Sequence, residues 1–276
     1  MAPTKPARVL IIAGSDSGGG AGIQADIKTV TVLGGFAMTA ITALTAQNTR
    51  GVHGEVGIDP AFIRQQIEVV LADIGADAIK IGMLHSVPVI VAVTDALRTL
   101  APTVPVVLDP VMMAKGGAPL LAPDAIGAVR TLALPLASVI TPNLPEAAAL
   151  LELEEAAVAA DPASAGAQLL TLGAKAALVK GGHADGPIVR DVLVKGNDVH
   201  PFEQPRIDTR ATHGTGCTLA SAIATGVGQG LALAPACAHA ISYVHQAIQD
   251  APGLGTGYGP LGHNARVRWV RPDRVY

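Results

Sequence analysis

Residues Arg8 to Thr29 read RVLIIAGSDSGGGAGIQADIKT. Arg8 to Ala13 reads as a short strand whose apolar run, Val9 to Ala13, has no polar alternation, the pattern of a strand buried on both faces. It ends in a glycine-rich turn from Gly14 to Gly22, after which the spacing predicts a helix over Gly22 to Leu33. A strand that passes through such a turn into a helix aims backbone N–H groups at a polar ligand. Each glycine loses much conformational freedom on ordering, so the turn reads as a place of close ligand approach. It lacks the Gly-Lys-[Ser/Thr] of a Walker P-loop. The dinucleotide fingerprint half-matches as Gly20-x-Gly22-x-x-Ala25. No Asp or Glu between Ile27 and Gly54 is present to take a ribose, which disfavours a nucleotide-binding oxidoreductase.

Outward from this unit the alternation continues. Strands are predicted at Ala37–Ala43, Ala78–Ile81, Val104–Leu108, Ser138–Thr141 and Ala176–Lys180. Helices are predicted at Ala61–Asp73, Pro88–Leu100, Asp124–Leu132, Pro145–Leu151, Ser164–Leu172, Thr215–Val227 and Pro235–Gln249. Val192–Lys195 and Val199–Phe202 flank Gly196-Asn197-Asp198 and read as a β-hairpin, and Ala147 to Ala160 reads as helix and loop. Short apolar runs between helical patterns predict an α/β fold: a central, mostly parallel sheet with helices on both faces. The whole chain, 1–276, is expected to be one domain.

Composition narrows the function. Half of the 276 residues are hydrophobic, 15% are charged and 3% aromatic, so the core must be built from Ala, Val, Leu and Ile. A net charge of -3 points to no nucleic-acid partner and no membrane partner. Thr29–Thr49 and Ala211–Gln249 lack charges, but their glycines and polar residues mark buried elements, not membrane spans. Two cysteines, Cys217 and Cys237, make no disulfide framework, and a cytoplasmic location is expected. No His-Glu-x-x-His, Cys-x-x-Cys or Gly-x-Ser-x-Gly occurs.

A second glycine turn, Ala211-Thr212-His213-Gly214-Thr215-Gly216-Cys217-Thr218, precedes an apolar helix. Gly214, Thr215 and Gly216 let successive N–H groups converge at the helix N-terminus as an anion hole. Cys217 falls in the first turn, where that field is expected to lower a thiol pKa. A base aimed at an anion hole is what phosphoryl transfer to a hydroxyl requires. His213 reads as a turn residue and Cys237 as core. Asp109, Asn143 and Glu146 follow predicted strands, where open α/β sheets bind ligands. Oxygen ligands of this kind suit Mg²⁺ bound with a nucleotide phosphate. Lys180 adds a cation at another strand end. Taken singly, Asn143 also fits an N-cap and Glu146 a favourable charge at a helix start. Asp26 and Lys28 also fit a solvated helix face.

Several motifs resemble the hydroxymethylpyrimidine/phosphomethylpyrimidine kinases of thiamine biosynthesis, in the ribokinase-like superfamily. They are AGSDSGGGAGIQADIKT (Ala13–Thr29), ITALTAQNT (Ile41–Thr49), KIGML (Lys80–Leu84), LDPVMMAKGG (Leu108–Gly117), TPNLPEA (Thr141–Ala147), LVKGGH (Leu178–His183), HGTGCT (His213–Thr218) and PGLGTGYGPLGH (Pro252–His263). The resemblance implies a ribokinase-like fold and two ATP-dependent phosphorylations of 4-amino-5-hydroxymethyl-2-methylpyrimidine. Gly14, Asp26 and Gln47 would line the pyrimidine site, with Met83 and Val111 as apolar walls. Cys217 would be the base, with the Gly214–Cys217 amides as anion hole. Asp109 and Glu146 would organise Mg²⁺, and Thr141, Asn143 and Lys180 would face ATP phosphates. Met113 to Leu121, carrying Lys115, would be a lid. A homodimer is expected. The alternatives are a pyridoxal kinase with the same machinery and a non-catalytic binding protein, against which the retention of Cys217, Lys180 and Glu146 argues. Arg266, Arg268, Arg271 and Arg274 receive no role.

Overall fold

A computed structural model describes residues 5–114, 116–122 and 124–264. The strands are β1 (Arg8–Asp16), β2 (Phe36–Asn48), β3 (Gly51–Gly57), β4 (Ala78–Ile81), β5 (Val106–Leu108), β6 (Val139–Ile140), β7 (Ala177–Val179), β8 (Ile188–Lys195) and β9 (Asp198–Pro205). The helices are α1 (Gly22–Val32), α2 (Pro60–Asp73), α3 (Val87–Leu100), α4 (Ala125–Ala128), α5 (Leu144–Leu151), α6 (Glu155–Ala160), α7 (Pro162–Thr171), α8 (Thr215–Gly228) and α9 (Leu233–Gln249).

Among the described residues the strands form one sheet in the order β3-β2-β1-β4-β5-β6-β7-β8-β9. The run from β2 to β7 is parallel, and β3, β8 and β9 are antiparallel. β1 explains its own sequence. Leu10 and Ile12 pack with Ile63 and Ile67 of α2 and Val89 and Ile90 of α3. Val9 and Ile11 pack on the other face with Ile23 of α1, Ile223 of α8 and Tyr243 of α9. A strand covered on both sides has no solvent face to place polar residues on, hence the unbroken apolar run. β1 pairs with β2 on one side and β4 on the other, so the strand order reverses there. In an open α/β sheet that reversal opens a crevice at the carboxyl ends of the strands.

The structure differs from the expectation in several places. β3 was not anticipated: its seven residues, GVHGEVG, are mostly exposed and carry no apolar alternation. β8 and β9 extend further than the expected hairpin because their outer halves face solvent. The stretch after α5 contains a second short helix, α6. The predicted helix Asp124–Leu132 is regular only over α4, then becomes a π-helical turn at Val129–Ala133 and a 3₁₀ turn at Leu134–Leu136. Pro135, without an N–H, stops the α ladder there.

Candidate active site

A cavity of about 640 Å³ occupies the crevice, lined by both glycine turns and by the ends of β1, β4, β5 and β7. Asp16, the last residue of β1, holds the first turn in shape. Its carboxylate accepts from the amides of Gly18 (2.8 Å), Gly20 (3.0 Å) and Ala21 (2.8 Å). His213 Nε2, from the second turn, lies 2.9 Å from Asp16 Oδ2. Burial works to raise the Asp16 pKa, but His213 and the turn amides outweigh it and hold the carboxyl below its ordinary value. His213 is thus more than a turn residue: it joins the two glycine turns.

The turns also touch through backbone. Gly214, the residue before α8, has φ +85°, and a Cβ there would run into the Gly20 carbonyl. Glycine is required at this position for conformation and space together. With Gly214 seated, the N-terminus of the 14-residue helix α8 faces the cavity. A side chain at Gly216 would meet Lys180 Nζ at 3.2 Å and Asp109 Oδ2 at 3.4 Å. The strand-end charges therefore stand directly against the predicted anion hole.

Those charges form one network. Lys180 Nζ lies 3.0 Å from Asp109 Oδ1 and 3.9 Å from Glu146 Oε2. Asn143 and Glu146 form a reciprocal capping box at the start of α5: Asn143 Oδ1 accepts from the Glu146 amide at 2.8 Å, and Glu146 Oε2 from the Asn143 amide at 2.9 Å. The cap and the site are the same residues, since both also line the cavity. Burial pushes the Glu146 carboxyl up to about 7; Lys180 opposes the shift and Asp109 adds to it. Lys180 is raised: burial opposes the charge, and Asp109 and Glu146 more than offset it. Thr141 requires a correction. It is fully buried, with its hydroxyl 3.4 Å from both the Leu108 carbonyl and Asp109 Oδ1, and it does not line the cavity. β6 is two residues long and covered on both faces, so Thr141 supports Asp109 from behind.

Gly14, Gln47, Met83 and Val111 also line the cavity. Gln47 Nε2 is 3.3 Å from His213 Nε2. One ring nitrogen cannot both donate to Asp16 and accept from Gln47. With His213 donating to Asp16, the Gln47 amide keeps its donors for a ligand.

Asp26 is the second correction. It does not line the cavity but lies beneath it, fully buried, 2.8 Å from Lys80 Nζ and accepting from Ser221 Oγ at 2.7 Å. It is one helical turn past Gly22, on the face of α1 that packs against α8, and so points into the core. Lys80, in β4, does line the cavity. No role was read for it, although a lysine inside the apolar strand Ala78–Ile81 was the available signal. Cys217 is the third correction. Burial pushes its thiol up to about 12, with Lys80 pulling the other way. The expected lowering by a first-turn position is outweighed by desolvation. Cys237 is buried core.

An apolar end lined by Val189, Ile207, Ile241, Val244 and Ile248 was not anticipated, because these residues come from β8, the loop after β9 and α9. Lys115, and Arg266, Arg268, Arg271 and Arg274, lie outside the described residues. Among the described residues no cluster of three or more His, Cys, Asp or Glu side chains is disposed to hold a metal. No described helix is long and apolar enough to cross a membrane.

The profile of the phosphomethylpyrimidine kinase family matches residues 16–262. The hydroxymethylpyrimidine/phosphomethylpyrimidine kinase of Streptomyces coelicolor is 46% identical over 263 residues, covering 95% of this chain and 96% of the relative. The thiamine biosynthesis bifunctional protein ThiED of Geobacter sulfurreducens is 48% identical over 98% of this chain, which spans 55% of that longer protein. Among solved structures, the pyridoxal kinase of Bacillus subtilis in an ADP complex superposes with a TM-score of 0.88 at 36% identity, covering 96% of this chain and all of that one.

Proposed function

The chain belongs to the phosphomethylpyrimidine kinase family, and we propose that its cavity holds a pyrimidine and ATP on opposite sides of the Gly214–Cys217 turn. It is a ribokinase-like kinase that phosphorylates 4-amino-5-hydroxymethyl-2-methylpyrimidine to the monophosphate and then the diphosphate for thiamine biosynthesis. The observation that carries the assignment of the site is the meeting of Asp109, Glu146 and Lys180 with the N-terminus of α8 in one cavity.

The pyrimidine lies between Gly14, Met83 and Val111, with Gln47 on its polar edge. Its hydroxymethyl group faces Cys217. The α8 amides stabilise charge on the transferring phosphoryl group, and Lys180 neutralises its oxygens. Asn143, at the start of α5, and the apolar end of the cavity receive the nucleotide. Mg²⁺ fits Asp109 and Glu146: both are hard oxygen donors lining the cavity, and a dication there would offset the burial that, with Asp109 adding to it, raises the Glu146 pKa. Bound there with a nucleotide phosphate, Mg²⁺ supplies charge neutralisation at the phosphoryl oxygens.

Cys217 acts as base in the first transfer. A thiol held near 12 keeps its proton in most molecules at neutral pH. A general base works best with a pKa near the operating pH, so the thiolate needs local stabilisation, and Lys80 acts in that direction. The second transfer starts from a phosphate monoester, already an anionic nucleophile, and needs positive charge more than a base. Lys180 supplies it, and Lys115 is a second candidate from the sequence.

The likeness to pyridoxal kinases favours a second reading, phosphorylation of pyridoxal by the same machinery. ATP turnover with the hydroxymethylpyrimidine, its monophosphate, pyridoxal and pyridoxine separates the two. Activity on both pyrimidines is expected to exceed activity on the pyridines, and the reverse order would overturn the reading. The working form is a homodimer in the cytoplasm; sedimentation analysis tests the first and fractionation the second.

A further inference from the structure

The buried pair of Lys80 in the cavity wall and Asp26 beneath it has no step in that chemistry as drawn. Asp26 and Lys80 are both fully buried, 2.8 Å apart. Taking two charges out of water is costly, and apolar residues of similar size would serve a core as well or better. The pair is also placed in register with the catalytic turn. Gly22, at the start of α1, and Cys217, in the first turn of α8, line the same cavity. One helical turn further along both helices, Ser221 donates to Asp26 at 2.7 Å. Lys80 enters from β4, shares the cavity wall with Cys217, and leaves so little space that a Cβ on Gly82 would lie 2.7 Å from its Nζ.

We propose that Lys80 is a positioning residue that holds the Cys217 thiolate, with Asp26 and Ser221 fixing the ammonium in place. This rests on the reading of Cys217 as base. In the first transfer the substrate O–H bond breaks and its proton goes to Cys217 Sγ. A new O–P bond forms and the bond from the γ-phosphorus to ADP breaks. Lys80 stabilises the charge on sulfur before that proton arrives. The charged groups that bear on Cys217 are Lys80 from β4, Asp26 from α1, Asp109 after β5 and Lys180 after β7. Lys80 is the largest influence that lowers its proton affinity, while Asp26 and Asp109 raise it.

The test is the rate of Cys217 alkylation by iodoacetamide between pH 7 and 10, read by peptide mass spectrometry so that Cys237 is counted separately. Lys80→Met should slow alkylation of Cys217 about tenfold or more, the equivalent of at least one unit of pKa. Asp26→Asn should speed it, because Lys80 then acts without its counter-charge. A purely structural pair would move both variants the same way, toward faster alkylation through loosening, and that result overturns the proposal. An unchanged profile in Lys80→Met overturns it too. Should Lys80→Met fail to fold, Asp26→Asn alone decides, since slower or unchanged alkylation there contradicts the proposal. Turnover of the first step should fall in Lys80→Met and its pH profile move upward. Opposite alkylation shifts with unchanged turnover would support the role of Lys80 and overturn the reading of Cys217 as base.

Discussion

Lys180 Nζ stands 3.0 Å from Asp109 Oδ1 across 71 residues of chain, bridging the ends of β7 and β5 over the intervening β6. Removing this ammonium leaves Asp109 and Glu146 facing each other without a counter-charge and strips a phosphate partner. Lys180→Met should lower kcat of both phosphorylations by about 10²–10³, the range for losing a fixed electrostatic donor. Pyrimidine affinity, measured by calorimetry, should change little, because Gln47, Met83 and Val111, and not Lys180, hold the ring in this reading.

The two transfers differ in their need for a base. Cys217→Ala should lower kcat for the hydroxymethylpyrimidine by about 10²–10⁴. Turnover of the monophosphate, supplied directly, should stay within severalfold of wild type. Equal losses in both steps would show that Cys217 acts otherwise than as a base.

Gln47 carries ring recognition. Gln47→Ala leaves polar atoms of the pyrimidine unpaired and should weaken its binding by about 1–3 kcal/mol. Binding of a non-hydrolysable ATP analogue, titrated in parallel, should be unaffected. A matching loss for both ligands would indicate a folding defect.

Gly214 is needed for both space and backbone conformation. Gly214→Ala forces a Cβ against the Gly20 carbonyl at φ +85°. It should cost about 1–3 kcal/mol of stability and displace the α8 amides from the phosphoryl group. Gly54→Ala is the control: nothing lies within 4 Å of a Cβ there. Denaturant melts should show it within about 0.5 kcal/mol of wild type.

His263 gives a pH dependence with a definite sign. It is buried, 2.9 Å from Thr218 Oγ1, and burial, with Lys28 adding to it, lowers its pKa from 6.5 to about 4. A depressed histidine contributes stability that is present above the unfolded value and is lost as pH falls from 6.5 through 4. The loss amounts to about 3 kcal/mol at the acid end. His263→Gln keeps an acceptor for Thr218 but does not titrate. Its stability relative to wild type should therefore rise as pH falls through that window in urea melts.

Much of this site is legible locally. A strand buried on both faces must be uniformly apolar, as Val9 to Ala13 is, and the residue that ends it must meet a turn. Asp109, Asn143 and Lys180 could be placed at strand ends on that ground alone. β3 was not legible because an exposed edge strand leaves no hydrophobic period, and the apolar end of the cavity was not because its residues come from β8, the loop after β9 and α9.

The parallel strands, the two glycine turns and the residues that border them follow from backbone freedom and short-range burial, and so can be read along the chain. Which charges meet depends on packing in space. Asp26 looked like a ligand contact or a solvated helix face, and Lys80 like part of a motif without a role. The register that sets Lys80 of β4 beside Ile11 of β1, and the packing of α1 on α8, joined them under Cys217. The same burial reversed the expected shift of that thiol. Desolvation and Coulomb partners depend on distances through space, and spacing along a chain does not encode them.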